Sequence, residues 1–329
     1  MTNHVSLKRH KGRKILKIAL ALFIISVFVG AYFYISAKPS ASVSNGKIVA
    51  TTTPKVRLKP VVTTPFIYIT PKVVRQGEPA LITAEGITST STVKSFTFDN
   101  RPLVIFLYEG QVSALLGVDL RAAAGTFPLV LTFNDGEELR QNITIGEREI
   151  IRAPFEIPEK LGGNTPESER MLIYTLAQEG KIVNAIPTSN KKLWTEKFRS
   201  PLDGPIVVTD PYGYTRLTGK STMPHKGTDM QAAIGTPVYS MNRGLVRFTQ
   251  DLRNYGKTVI VDHGLGLQTV YMHLSEINVT MGQMVGRGEL LGLSGDTGYV
   301  LGPHLHLTVR VWDISIDPMK FLEILGSEN

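Results

Sequence analysis

Five of the seven histidines in this 329-residue chain fall between positions 225 and 306. They stand in His225-Lys226-Gly227-Thr228-Asp229, Asp262-His263-Gly264, Tyr271-Met272-His273-Leu274 and Gly302-Pro303-His304-Leu305-His306-Leu307. Imidazole is the commonest protein metal ligand and the side chain that titrates nearest neutral pH. The chain has no cysteine, which excludes a disulfide scaffold, a thiolate metal site and a cysteine nucleophile. So dense a His/Asp cluster points to a metal held by nitrogen and oxygen. A catalytic zinc takes three protein ligands and leaves its fourth position to a water whose pKa falls to about 7. Two histidines and an aspartate meet that count. The remaining histidines could accept the water's proton or donate to an oxyanion.

The spacing constrains how these groups are carried. His304 and His306 are two apart, so on a strand both rings leave the same face, with Cβ atoms roughly 6.5–7 Å apart. One can then ligate while the other faces the open position. His225 and Asp229 are four apart, but Pro224 and Gly227 argue against a helix, and an extended or looped pair converging from another strand is expected. His263, alone between an aspartate and a glycine, reads as a structural turn residue.

The surrounding elements are mostly strands. From 201 to 322, frequent glycines cut the chain into short runs, of which 246–248, 258–261, 269–272 and 305–309 are the clearest strands. No long helix fits between them, so an antiparallel sheet is expected. Ahead of it, residues 63–147 alternate short strand-like runs with turns, including an Asn134-Asp135-Gly136 hairpin signal, and suggest a small β-sandwich. Between the two, residues 148–200 form a helical linker. Thr165 is its N-cap, Pro166 its first residue and Gly180 its stop, with a second short helical piece expected at 189–198.

Charge places the remainder. The net +8 is concentrated at the N-terminus, where residues 1–17 hold six basic side chains and no acid. From 201 onward ten basic residues face twelve acidic ones, so no nucleic-acid footprint is expected. Ile18–Ala37 is uncharged over twenty residues, long enough for a helix of roughly 30 Å to cross a bilayer. Tyr32 and Tyr34 lie near its outer end. The positive-inside rule keeps the basic flank in the cytoplasm and puts the rest of the chain outside. The expected organisation is therefore a basic N-terminus (1–17), a transmembrane anchor (18–37), a linker (38–62), the sandwich, the helical linker, the His-rich domain (201–322) and a C-terminal tail (323–329). The fold class is mainly β.

The blocks His225–Asp229, Tyr271–Leu274, Gly295-Asp296-Thr297-Gly298 and Gly302–His306 occur in an order that resembles the LytM/lysostaphin-type zinc metallopeptidases of family M23. Asp210-Pro211-Tyr212-Gly213 with Arg216, Gly235-Thr236-Pro237-Val238 and the Asp262-His263-Gly264 turn fit the same pattern, which covers about 201–321. Residues 63–147 resemble the immunoglobulin-like domain that precedes this peptidase in some members. Leu301, where threonine is frequent, and Tyr212, where phenylalanine is common, depart from the pattern and bear on substrate fit.

The resemblance implies one Zn2+ per catalytic domain, with His225, Asp229 and His306 as metal ligands and His273 and His304 as the catalytic pair. It implies that Tyr212, Asp296 and Thr297 lie at or near the substrate groove. The function it implies is a membrane-anchored endopeptidase hydrolysing the peptide cross-bridges of bacterial peptidoglycan. It would be single-pass in the cytoplasmic membrane with its catalytic domain on the extracytoplasmic side. The Ig-like domain is a candidate surface for a cell-envelope protein partner. The rival is a catalytically inactive LytM-type regulator of another wall hydrolase, which usually lacks some ligands; here all five residues are present. Residues 214–224 are placed to cover the site.

Overall fold

The computed structural model describes residues 64–327, apart from 155, 219 and 220. The anchor expected at 18–37 lies outside these residues. No helix among the described residues is long and apolar enough to cross a membrane.

Residues 66–146 form two facing sheets. One has four strands, ordered Phe66–Thr70, Pro79–Glu85, Gln111–Gly117, Ile105–Tyr108; the other has five, centred on Gly125–Phe133 and Glu138–Gly146. Alternate residues Ala80, Ile82 and Ala84 meet Phe96, Leu129, Leu131, Ile143 and Ile145 between the sheets, as the period-two rule requires. Leu81, on the opposite face of the same strand, joins Phe106 in the apolar core of the following lobe, beside Trp194, Val311 and Ile316. Phe106 meets Trp194 edge-on, with centroids 5.3 Å apart. The sandwich thus gives its outer face to the His-rich lobe, and a strand buried on both sides explains the unbroken apolar run Ala80-Leu81-Ile82. The strand Gln111–Gly117 was not expected, because Ser113 and Gly117 interrupt its apolar pattern.

A second contact tightens this seam. Arg148 Nη2 donates to Asp317 Oδ2 at 2.6 Å and to the Tyr212 carbonyl at 2.9 Å, and the Tyr212 hydroxyl donates to the Ser315 carbonyl at 2.7 Å.

The His-rich lobe is built on an antiparallel sheet of ten strands. We label its relevant elements as follows: helix α1 Pro166–Asn184; strands β1 Thr215–Thr218, β2 Ser221–Pro224, β3 Thr228–Gln231, β4 Gly244–Leu252, β5 Gly256–Gly264, β6 Leu267–Ile277 and β7 His304–Val311; and helix α2 Pro318–Leu325. In the large sheet the order is β3-β7-β6-β5-β4. One face packs on the core holding Met230, Tyr271, Leu274, Leu305 and Leu307; the other carries Phe248, Ile260, Val270 and Met272 and receives Val183 of α1.

Three local expectations need correction. Helix α1 starts as expected, with Thr165 Oγ1 accepting from Ser168 N and Pro166 at its first turn, but it runs through Gly180 to Asn184. A helical glycine costs only about 1 kcal/mol. Glu179 accepts from the backbone N–H groups of Asn254 and Tyr255, and Val183 is buried, which outweighs it. Residues 189–198 are not helical: Ser189 is held by Asp262, Leu193 N donates to the His263 carbonyl, and Phe198 N to that of Leu325. Finally, the expected C-terminal tail from 323 continues helix α2, whose Asp317 N-cap accepts from Met319 N and Lys320 N.

Candidate metal and catalytic site

Strand register brings the histidine blocks together. In the β3–β7 pair, Asp229 stands directly opposite His306, and on the other side of β7 Met272 stands opposite His306. His225 precedes β3, and its backbone is pinned by His225 N donating to the Tyr214 carbonyl and Gly213 N donating to the His225 carbonyl. Gly227 lies so close to β7 that a Cβ there would fall 2.4 Å from His306 Nε2 and 2.5 Å from the Leu307 carbonyl. A side chain at 227 would push the His306 ring aside.

His273 arrives by a different device. Lys257 and Val259, two apart on β5, pair with Leu274 and Tyr271, three apart on β6, so β6 carries one extra residue. His273 occupies that bulge with φ of +62°, a left-handed conformation uncommon for a non-glycine residue. Plain alternation would send His273 to the same side as Tyr271, which is in the core. The bulge lets it line the opposite groove with Met272 instead. Backbone strain at this residue is used to place an imidazole.

Three acceptor atoms converge. His225 Nε2 is 3.1 Å from Asp229 Oδ1 and 3.0 Å from His306 Nδ1, which is 2.7 Å from the same Oδ1. The outer nitrogens fix the proton positions. His225 Nδ1 donates to the Pro211 carbonyl at 3.1 Å, and His306 Nε2 donates to Thr308 Oγ1 at 3.0 Å, whose hydroxyl donates onward to the Lys226 carbonyl. Both inner nitrogens then present lone pairs to each other and to a carboxylate. Burial pulls the His306 pKa down to about 4, so that lone pair is free at neutral pH. Burial alone would raise the Asp229 pKa, but any proton taken up by His225 or His306 would pair with the carboxylate, and this holds the carboxyl well below the usual range. Three facing lone pairs call for a cation. A tetrahedral zinc with bonds of about 2.0–2.1 Å sets its ligand atoms roughly 3.3 Å apart, close to this triangle. Among the described residues this is the one His/Asp group able to hold a metal ion.

Two further rings flank the triangle. His273 Nδ1 donates to the Thr297 carbonyl and His304 Nδ1 to the Gly302 carbonyl, both at 2.9 Å, which leaves each Nε2 as an acceptor. His304 Nε2 is buried without a hydrogen-bond partner, 3.6 Å from Asp229 Oδ1. The two ring centroids are 5.0 Å apart. Burial, reinforced by the repulsion from any proton on His304 or His306, holds the His273 pKa well below its ordinary value.

Of the remaining expected residues, Thr297 adjoins the site through its backbone. Tyr212 is buried in the seam with the sandwich, under the Arg148 guanidinium, because its hydroxyl reaches Ser315 rather than the groove. The Thr297 hydroxyl donates to the Leu274 carbonyl and accepts from Lys257 N; its carbonyl, not its side chain, serves the site by holding His273. Asp296 is exposed on the rim of a separate cavity with Glu156, Glu159 and Leu301. His263 is fully buried, with Nδ1 donating to the Arg243 carbonyl. Of residues 214–224, Arg216, Thr222, Met223 and Pro224 line a groove of about 470 Å³ over the site, the last three as one wall. The other wall is α1, through Leu176, Gly180 and Val183. No sequence signal pointed to that helix as part of the site.

Residues 223–318 match the model of Peptidase family M23. That segment is an M23 peptidase domain. Among curated relatives, the chain is 35% identical over 198 residues to the peptidoglycan DD-endopeptidase ShyA of Vibrio cholerae, covering 57% of this chain and 44% of ShyA. It is 35% identical over 120 residues to the DD-carboxypeptidase/endopeptidase Mpg of Neisseria meningitidis, covering 35% of this chain and 28% of Mpg. The chain thus spans less than half the length of either relative. A crystal structure assigned to peptidase M23 from Pseudomonas aeruginosa matches 77% of this chain and 95% of its own length, at 27% identity and a TM-score of 0.56.

Proposed function

We propose that this M23 protein is a zinc-dependent endopeptidase that cleaves peptide cross-links of bacterial peptidoglycan. The observation that carries the reading is the convergence of the His225, Asp229 and His306 lone pairs beside two rings, His273 and His304, that each offer an unprotonated Nε2. Relatives named as peptidoglycan DD-endopeptidases support the substrate class.

His225, Asp229 and His306 would hold the ion, which when bound supplies Lewis-acid polarisation of a carbonyl and an acidified water. His225 and His306 are held in their ligating tautomers by Pro211 and Thr308, and Asp229 is oriented by Arg216. His273 and His304 flank the triangle, with ring centroids 5.0 Å apart and His304 Nε2 3.6 Å from Asp229 Oδ1. With Nδ1 committed to a backbone carbonyl, each Nε2 can accept the proton lost by the attacking water. Once protonated, the same atom donates to the oxyanion of the tetrahedral carbon and then to the leaving amine. Met223 and α1 form the facing walls of the groove above these rings.

The proposal includes location. A helix at 18–37 would anchor the chain in the cytoplasmic membrane, with 38–62 as a tether and the sandwich as a spacer on the wall side. Purified sacculi incubated with the zinc-loaded full chain should release cross-link-cleaved peptides identifiable by mass spectrometry, and the His304→Ala chain should release none. Sacculi left intact by the zinc-loaded protein would overturn the reading.

A further inference from the structure

Strand β7 carries a stripe beyond the catalytic residues. His304, His306, Thr308 and Arg310 alternate on one face, and both His306 and Arg310 line the groove over the site. Arg310 lies four residues from His306, roughly 13 Å along the strand. It is only 3% exposed. Nη1 donates to the Val183 carbonyl at 2.9 Å in the last turn of α1, and Nε is sealed without any partner. Among the described residues no carboxylate comes within ion-pairing distance. Asp313, on the same groove, and Tyr255 act on the charge only from a distance.

A guanidinium stays charged at neutral pH, and a desolvated charge without a counter-ion is unfavourable. Its planar Nε/Nη2 edge matches a carboxylate with two parallel hydrogen bonds. A single backbone carbonyl is a poor substitute. The groove therefore has a metal-type cluster at one end and an unsatisfied planar cation at the other, on the same strand.

We propose that Arg310 is a specificity residue that binds a free carboxylate of the peptide substrate, reached when the last turn of α1 releases it from the Val183 carbonyl. The bound peptide lies along β7, with its scissile bond at His306 and an acidic group about four residues' length away. Val183 O holds the guanidinium in the unliganded protein, so carboxylate binding and loosening of residues 181–184 are coupled. This rests on the peptide-hydrolase reading of the site.

The probe is the cross-linked stem-peptide dimer released from sacculi, compared with the same dimer after its carboxylates are converted to carboxamides. Binding to the full chain, freed of metal by chelation, is measured by calorimetry, and cleavage is measured separately after zinc loading. The native chain should prefer the carboxylate dimer by roughly tenfold to a hundredfold, the range of a charge-assisted bidentate pair. Arg310→Gln should bring the ratio to near one without weakening the carboxamide dimer, and Arg310→Lys should fall between. Amide hydrogen exchange at 181–184 should quicken when the carboxylate dimer binds. If Arg310 merely caps α1, the ratio will be the same in the Arg310→Gln and native chains, and the proposal fails. It fails also if the native chain shows no preference or binds neither dimer, results that do not depend on how the variants fold. Selective binding without cleavage would overturn the hydrolase reading and leave the carboxylate site standing; cleavage without selectivity would do the reverse.

Discussion

Arg216 Nη2 donates to Asp229 Oδ2 at 2.6 Å while the other oxygen of that carboxylate faces His225 and His306. One cation thus fixes one edge of the carboxylate, and the opposite edge is left to the converging imidazoles. Arg216 also reaches Asp210 Oδ2 at 3.2 Å, so β1, the strand Val208–Asp210 and β3 are joined through this one guanidinium. Removing the guanidinium should free the carboxylate to rotate. Arg216→Met is expected to weaken zinc binding about 10–100-fold, the usual effect of losing a partner that orients a ligand. Competition with a chromophoric chelator measures it. An unchanged affinity would mean that the carboxylate is held by packing alone.

His273 separates backbone strain from chemistry. Its φ of +62° suits glycine, so His273→Gly should keep the bulge and the fold, with Tm within a few degrees of the native chain. Its activity on sacculi should fall by roughly 10²–10⁴-fold for want of the proton acceptor. His273→Val adds a β-branched side chain in the left-handed region and should lower Tm as well. Thermal unfolding read beside turnover distinguishes the two effects, and full activity in the glycine variant would remove His273 from the mechanism.

His263 gives a stability signature away from the cluster. Burial lowers its pKa from 6.5 to about 4, so the unfolded chain binds a proton at this position below pH 6.5 that the folded chain refuses until about pH 4. The stability associated with the neutral ring is complete above pH 6.5 and is lost as pH falls from 6.5 through 4, by about 3 kcal/mol across that window. Denaturant unfolding at pH 7.5, 5.5 and 4.5 should show this loss, and it should be smaller in His263→Gln. Equal slopes in the two proteins would place the acid sensitivity elsewhere.

Much of this site was legible because strands have a two-residue period. His304 and His306 were assigned to one face from their spacing, and β7 carries them so. A looped or extended His225/Asp229 pair, rather than a helical one, followed from Pro224 and Gly227; that His306 completes the triangle was implied only by the family resemblance. The bulge at His273 was not legible, since alternation alone would send this ring into the core with Tyr271. Thr297 adjoins the site through its carbonyl and Tyr212 turns its side chain to the seam, since a motif records that residues are near a groove, not whether side chain or backbone faces it. Helix α1 was found from its cap and proline, but its role as a groove wall depends on Glu179 meeting the Asn254 and Tyr255 amides across 75 positions of sequence, which no local pattern encodes.

The central claim is that His225, Asp229 and His306 hold one divalent ion, and metal analysis of the purified full chain tests it most directly. After zinc loading and removal of free metal, the native chain should retain one zinc per molecule, and Asp229→Ala and His306→Ala should retain almost none while keeping the native far-UV spectrum. A folded native chain that holds no metal, or variants that keep theirs, would contradict it.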